Sequence, residues 1–312
     1  MIPDRQILVE ARKRIHPFIH QTPVLTCESI DNMAGAKLYF KCENFQKMGA
    51  FKMRGAANVV LQLTAKEKSK GVTTHSSGNF AQAVALSGKL TGVKATIVMP
   101  SNAPIVKKKA VLGYGAKIIE CEPTLEAREA TALQVVKDTG ATLLHPYNCY
   151  KVIAGNSSAA QELVEQVNSL DTIVAPVGGG GLISGTALAA NYFSNCTTYG
   201  AEPEGADDAF RSFKSGKLIP MIDPKTIADG LRTSLGDKGF SIIQKYVKDI
   251  FTVSEQEIID ALRLIWERMK IIIEPSCAVP LAAILKNKST FKGKKIGVII
   301  TGGNVDVKNL PF

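Results

Sequence analysis

The chain has 312 residues, 45% of them apolar, with a formal net charge of +10 and six cysteines. That length suits a large core divided over two domains, and no apolar run reaches the roughly eighteen residues of a membrane span. The basic residues are dispersed, the densest run being Lys107-Lys108-Lys109, so a solvated helix face accounts for them better than a nucleic-acid surface.

The opening Met1-Ile2-Pro3-Asp4-Arg5 lacks the basic-then-apolar layout of a secretion signal. Cys27, Cys42, Cys121, Cys149, Cys196 and Cys277 form no Cys-x-x-Cys pair. Both features point to a reducing, cytoplasmic setting without a zinc site or a disulfide framework.

Apolar periodicity predicts a first helix over 6–15, closed by Pro17. Extended runs follow at 22–25 and 37–41 with polar turn material between them, then a helix at 51–63. Strands at 72–75, 95–99, 116–121 and 142–144 alternate with helices at 80–90, 104–112 and 125–138, which implies right-handed crossovers and a small parallel sheet. A helix at 157–167 precedes the apolar run Ile173-Val174-Ala175-Pro176-Val177, which feeds four glycines and a small-residue helix. A strand at 198–201, helices at 255–269 and 278–285 and a strand at 295–300 complete the pattern. The expected fold is α/β, with two open parallel-sheet domains and a cleft between them. Residues 1–66 plus 148–312 form the larger domain, and 67–147 a smaller, mobile one that closes over the substrate.

Three turns of small residues end predicted strands: Ser76-Ser77-Gly78-Asn79, Gly178-Gly179-Gly180-Gly181 and Thr301-Gly302-Gly303-Asn304. Ligands of open parallel sheets bind at that edge. Four bare glycines at a helix N-terminus let an anion approach backbone N–H donors along the dipole, so the loop reads as a phosphate cradle. A nucleoside-triphosphate loop needs a following Lys, and none is present. A dinucleotide loop needs glycine at its sixth position, which is Ile183 or Ser184 here. Glu202 stands where a ribose-binding acid would, so a nicotinamide oxidoreductase remains the alternative. Lys52 opens a helix, where the dipole disfavours a structural cation and suits an amine meant to be neutral or to form an imine. Pyridoxal phosphate requires such a lysine, a phosphate cradle and a partner for its ring nitrogen.

These residues resemble the fold-type II pyridoxal-phosphate enzymes, in the serine racemase and serine/threonine dehydratase branch. The resemblance runs through Phe51-Lys52-x-Arg54-Gly55, Thr74 to Asn79, Val152-Ile153-Ala154-Gly155, the four glycines, Ala228-Asp229-Gly230, Glu274-Pro275 and the segment from Thr301 to Asp306. It implies a tryptophan synthase β-like fold, a homodimer, and elimination of water and ammonia from serine, threonine or 3-hydroxyaspartate. Serine racemisation is the close alternative. By resemblance, Lys52 carries the cofactor and moves the α-proton, Ser77 is a second acid/base on the opposite face, and Phe51 packs on the ring. Asn79 meets the phenolic oxygen, Thr301 the pyridine nitrogen, and Gly178, Gly179, Gly180 and Gly181 the phosphate. Ser76, Ser77 and Gly78 take the substrate carboxylate, with Arg128 nearby. Glu202, the Ala206 carbonyl and Asp208 would hold magnesium, calcium or manganese. The chain departs from the family at Met48, Ala50, Phe80, Ala81, residues 145–150 and Asn156-Ser157-Ser158, differences expected to flank the substrate rather than the cofactor.

Overall fold

Helix α1 (Arg5–Ile15) starts where the Asp4 carboxylate accepts from the Ile7 N–H, and it buries Leu8, Ala11 and Ile15. Then come β1 (Val24–Leu25), α2 (Glu28–Ala34), β2 (Lys37–Cys42), α3 (Lys52–Leu61) and α4 (Ala65–Lys70), the last opened by a Thr64/Glu67 capping box. The alternating section is β3 (Val72–Thr74), α5 (Asn79–Thr91), β4 (Ala95–Pro100), α6 (Ile105–Gly113), β5 (Lys117–Cys121), α7 (Leu125–Thr139) and β6 (Thr142–Leu143). After it run α8 (Tyr150–Gln166), β7 (Thr172–Pro176), α9 (Gly181–Phe193), β8 (Thr197–Pro203), α10 (Asp208–Ser215) and α11 (Asp237–Tyr246). The last elements are β9 (Val247–Val253), α12 (Glu255–Met269), α13 (Val279–Lys286), α14 (Lys288–Phe291) and β10 (Lys295–Ile300). This computed structural model describes residues 1–103, 105–308 and 310–312, so Pro104, the expected start of α6, lies outside the described residues.

Among the described residues the strands form two sheets, a six-stranded one in the order β1-β2-β10-β7-β8-β9 and a four-stranded one in the order β5-β4-β3-β6. The smaller sheet is parallel throughout. The larger is parallel except that β1 runs antiparallel to β2. The crossovers place the turns after β3, β7 and β10 at the carboxyl edges of their sheets.

Several elements differ from the sequence expectation. The stretch holding α2 is polar in composition, yet Ile30 and Ala34 turn its short helix onto the core. Helix α8 begins seven residues before the expected 157, and Val152 and Ile153 are fully buried positions in its first turn. No element was expected where α10, α11 and β9 stand. Phe80 is 2% exposed and packs in the core of the smaller sheet, while Ser158 donates within α8 and accepts from buried Arg54. These two departures therefore line the core, not the substrate.

Small residues let α3, α8 and α9 approach closely. A Cβ at Gly155 would fall 2.5 Å from the Arg54 carbonyl, and one at Gly185 2.7 Å from the Ile153 carbonyl. Gly155→Ala, ordinarily a gain of about 1 kcal/mol in a helix, is expected to destabilise by about 1–3 kcal/mol in a urea titration. A stabilised variant would mean that α3 does not rest on α8 as described.

Beside this contact lies a buried charge cluster. The Arg54 guanidinium bonds Glu43 (2.6 Å) and Glu162 (2.7 Å), and Lys41 Nζ bonds Glu162 (2.6 Å) and Gln166 (2.8 Å). Arg54, Lys41 and Glu43 are 0% exposed. Of the basic run, Lys107 pairs with Asp229 at 2.7 Å and Lys108 with Glu120 at 2.6 Å.

Candidate active site

Between β2 and α3 the backbone turns through positive φ at Met48 (57°) and Gly49 (77°), where a Cβ on Gly49 would lie 2.8 Å from Asn304 Oδ1. Ala50 bridges Gly302, and the Phe51 N–H donates to the Thr301 carbonyl at 2.9 Å. The loop before Lys52 is thereby fastened to the loop after β10, some 250 positions away. Lys52 Nζ donates to the Pro146 carbonyl at 3.3 Å and lies 4.9 Å from the Phe51 ring centroid. Burial pushes the Lys52 amine down to about 8, against the upward pull of the Glu274 carboxylate.

The tetraglycine turn joins β7 to α9, with Gly180 at φ 84°. None of the N–H groups of Gly178, Gly179, Gly180 or Gly181 has a protein acceptor among the described residues. A Cβ at Gly179 would fall 2.3 Å from the Tyr147 ring, and one at Gly181 3.0 Å from Tyr147 Cβ. The segment carrying Tyr147 is itself braced, because His145 Nδ1 accepts from the Asn148 N–H at 2.9 Å. His145 meets the Tyr147 ring edge-on at 4.6 Å and the His75 ring at 6.1 Å. Burial, with His75 and Lys52 adding, pushes His145 down to about 4, so its imidazole stays neutral. This segment links Lys52, through the Pro146 carbonyl, to the glycines, through the Tyr147 ring.

Ser76, Ser77 and Gly78 form the turn from β3 into α5. The Gly78 N–H reaches Ser76 Oγ at 3.4 Å, the Ser77 hydroxyl has no protein partner among the described residues, and a Cβ at Gly78 would meet nothing within 4 Å. Asn79 opens α5, its Nδ2 donating to both Glu274 oxygens at 3.0 Å and its Oδ1 accepting from Asn304 Nδ2 at 2.9 Å. Thr301 Oγ1 lies 3.0 Å from Cys277 Sγ. Arg128, on α7, bonds the Thr124 carbonyl at 3.2 Å, and its charge is felt at His75 and Tyr147.

Contacts thus tie Lys52 to the glycine turn through Pro146 and Tyr147, Phe51 to Thr301 through a backbone bond, and Asn79 to Glu274 and Asn304, while Arg128 is related to this region through its charge at His75 and Tyr147. Glu202 stands near the end of β8, paired with Thr252 of β9, and Ala206 and Asp208 follow just after that strand. Both carboxylates are fully buried, and no side-chain cation pairs with either among the described residues. Glu202 accepts from the Ala209 and Phe210 N–H groups, and Asp208 Oδ2 from the Leu235 N–H. Asp208 Oδ1 is buried without a partner. Burial lifts Glu202 well above its usual range, with Asp208 adding, and lifts Asp208 to about 6. Glu202 is fully buried with both oxygens taken by backbone N–H groups, which leaves it no exposed oxygen for the ribose contact that the nicotinamide alternative needs.

Sequence reasoning gave no role to Glu274, Cys277 or Asn304, and took His145 and Tyr147 only as part of the 145–150 departure expected to flank the substrate rather than the cofactor; Pro146 and Tyr147 instead touch Lys52 and the glycine turn. Glu274 and Asn304 stand inside motifs quoted for the resemblance, which was the available signal. The other three depend on contacts between segments far apart in sequence.

A family model described as "Pyridoxal-phosphate dependent enzyme" matches residues 15–302. The chain belongs to that family. It is 49% identical over 312 residues to a beta-hydroxyaspartate dehydratase of Paracoccus denitrificans, covering 100% of this chain and 99% of the relative. It is 50% identical to the serine racemase of Dictyostelium discoideum, covering 96% of this chain and 94% of the relative. The crystal structure of that racemase superposes with a TM-score of 0.94 over 97% of this chain and 99% of that one. An L-threo-3-hydroxyaspartate ammonia-lyase of Saccharomyces cerevisiae is 46% identical, over 99% of this chain and 95% of the relative. The pyridoxal-phosphate family thus accounts for the fold, for both sheets and for the absence of a dinucleotide fingerprint. The residues present also fit its cofactor: an amine of lowered basicity serves an aldehyde, and four amides without acceptors at a helix N-terminus serve a phosphate.

Proposed function

We propose that the protein is an ammonia-lyase that converts a β-hydroxy amino acid, 3-hydroxyaspartate foremost and L-serine or L-threonine also, to a 2-oxo acid and ammonia. The observation that carries this is the half-buried amine of Lys52, lowered to about 8 and bonded to the Pro146 carbonyl, next to Tyr147, whose ring packs on the acceptor-free glycine turn. The names of the Paracoccus and Saccharomyces relatives support the substrate, and Arg128 offers a cation for a second carboxylate.

When bound, pyridoxal phosphate supplies an electron-withdrawing ring that stabilises negative charge at the substrate α-carbon. The Pro146 carbonyl orients the Lys52 amine, which, lowered to about 8, would take the α-proton at neutral to alkaline pH. Ser76, Ser77 and the Gly78 amide receive the α-carboxylate at the N-terminus of α5, where the helix dipole favours it. Asn79 would serve as donor to the phenolic oxygen and Thr301 to the ring nitrogen, and the amides of Gly178 to Gly181 would hold the phosphate. The β-hydroxyl would leave as water with the proton that Lys52 removed, and the released enamine would take up water to give the oxo acid and ammonia.

Serine racemisation is a second activity, favoured by the unpartnered Ser77 hydroxyl and by the racemase relative. Ser77→Ala is expected to lower racemisation by about 10²–10⁴-fold while L-serine elimination stays within about threefold. The measurement offers L-serine, D-serine, L-threonine and both 3-hydroxyaspartate diastereomers, following oxo acid and chirality together. Equal loss of both activities would refute a second base at Ser77, and no oxo acid from any of them would refute the lyase.

Glu202, the Ala206 carbonyl and Asp208 suit a hard divalent cation, Mg²⁺, Ca²⁺ or Mn²⁺, since the orphaned Asp208 oxygen lacks a partner that such an ion would supply. Both carboxyls have folded values above their unfolded ones. Without a cation they therefore contribute stability at low pH that is lost as pH rises through about 6. Mg²⁺ is expected to raise the melting temperature at pH 8 and barely at pH 5. The same shift at both values would place the ion elsewhere. A homodimer in the cytoplasm, the smaller domain (67–147) closing over substrate, completes the proposal.

A further inference from the structure

Glu274 reaches Asn79 from a loop that the chemistry above leaves without a role. It is 4% exposed and precedes the 3-10 turn Pro275–Cys277. Its backbone N–H donates to the Gly302 carbonyl at 3.0 Å, and a Cβ at Gly302 would fall 3.1 Å from its Oε1, so the carboxylate is fixed from behind. In front, both its oxygens accept from Asn79 Nδ2 at 3.0 Å. Asn304 holds the other end of the same amide, its Nδ2 donating to Asn79 Oδ1 and to the Met48 carbonyl, each at 2.9 Å. Above about pH 7 the Glu274 carboxylate is ionised and only accepts, and the Asn304 amide nitrogen only donates, so together they leave Asn79 one orientation. The clamp joins the smaller sheet's α5 to loops of the larger sheet, and through Met48 it braces the turn that delivers Lys52.

We propose that Glu274 is a positioning residue, which turns the Asn79 donor toward the cofactor's phenolic oxygen and sets how tightly the Lys52 nitrogen holds its proton. This inference rests on the pyridoxal-phosphate site proposed above. The charged and polar groups around Glu274 are Lys52 on α3, Lys107 on α6, Asn79 on α5, Asp229, the Asn304 backbone and Cys277. Burial, with Asp229 adding, pushes Glu274 up to about 7, and its negative charge supports the proton on Lys52 against the effect of burial. Removing that charge lowers the proton affinity of the Lys52 nitrogen.

The test uses the full chain loaded with pyridoxal phosphate, as wild type, Glu274→Gln and Glu274→Asp. Visible absorption of the bound cofactor is followed from pH 6 to pH 9, and cofactor affinity is measured by fluorescence. Glu274→Gln is expected to move the absorption midpoint to lower pH by about one unit, a tenfold loss of proton affinity. Glu274→Asp keeps the charge and draws it back from Asn79, so its midpoint stays near the wild-type value while cofactor affinity falls about tenfold. Wild-type midpoint and affinity in Glu274→Gln would reduce Glu274 to a structural group. Should that variant not fold, wild-type affinity in Glu274→Asp overturns the inference equally. A wild-type protein that takes up no cofactor overturns the underlying site instead, and the inference with it.

Discussion

Lys52→Ala is expected to lose turnover on every substrate by about 10⁴-fold or more, while the unloaded protein keeps its fold. The loss is this large because one amine both holds the cofactor and moves the α-proton, and no other lysine shares its surroundings. The fold survives because, among the described residues, Lys52 makes one hydrogen bond, to the Pro146 carbonyl, and its charge is disfavoured by burial. The folded amine titrates near 8 and the unfolded one near 10.5, so the folded state binds fewer protons between those values. Wild-type stability therefore rises with pH across that window, and the cost of the buried charge is present in full below it. The alanine variant lacks this rise. Thermal melts of the two unloaded proteins across the window check the stability claim, and oxo-acid assays check the loss of turnover. Loss of less than about tenfold would mean that the proton is moved by another group.

Arg54→Met is expected to destabilise the protein by about 3–5 kcal/mol, or to prevent folding, as read by denaturant titration. Arg54 stands two residues after Lys52 and makes ion pairs to Glu43 and Glu162 with no solvent contact. Removing it leaves those carboxylates buried with Lys41 as their remaining cation partner in the cluster. Burial alone would lower Arg54's basicity, but the two carboxylates outweigh it and raise it above its ordinary value. The same network reaches Ser158 and, through Lys41, Gln166, so it ties α3 to α8 as well as neutralising charge. A loss near 1 kcal/mol, the size expected of an exposed pair, would mean that water enters the cluster.

Much of this was legible in the sequence because local patterns determine it. The alternation from β3 to β6 is carried by short apolar strands and capped helices, and each turn is written in its own residues. The glycine turn and Lys52 were readable for the same reason: a run of bare backbone and a cation at a helix N-terminus are locally anomalous. What could not be read depends on distant partners. The first turn of α8, with Val152 and Ile153, carries no local helix signal, and its burial comes from packing against α3 and α9. Asp208 looks like a surface acid until Leu235 and Glu202 enclose it. The clamp on Asn79 needs Glu274 and Asn304, about 200 positions further on, and nothing local marks either as its partner.

Borohydride reduction of the pyridoxal-phosphate-loaded protein, followed by peptide mass mapping, tests the assignment of the site most directly. The account predicts a single phosphopyridoxyl addition, on the peptide carrying Lys52. An addition at another lysine, or none on a protein that has bound the cofactor, would contradict it.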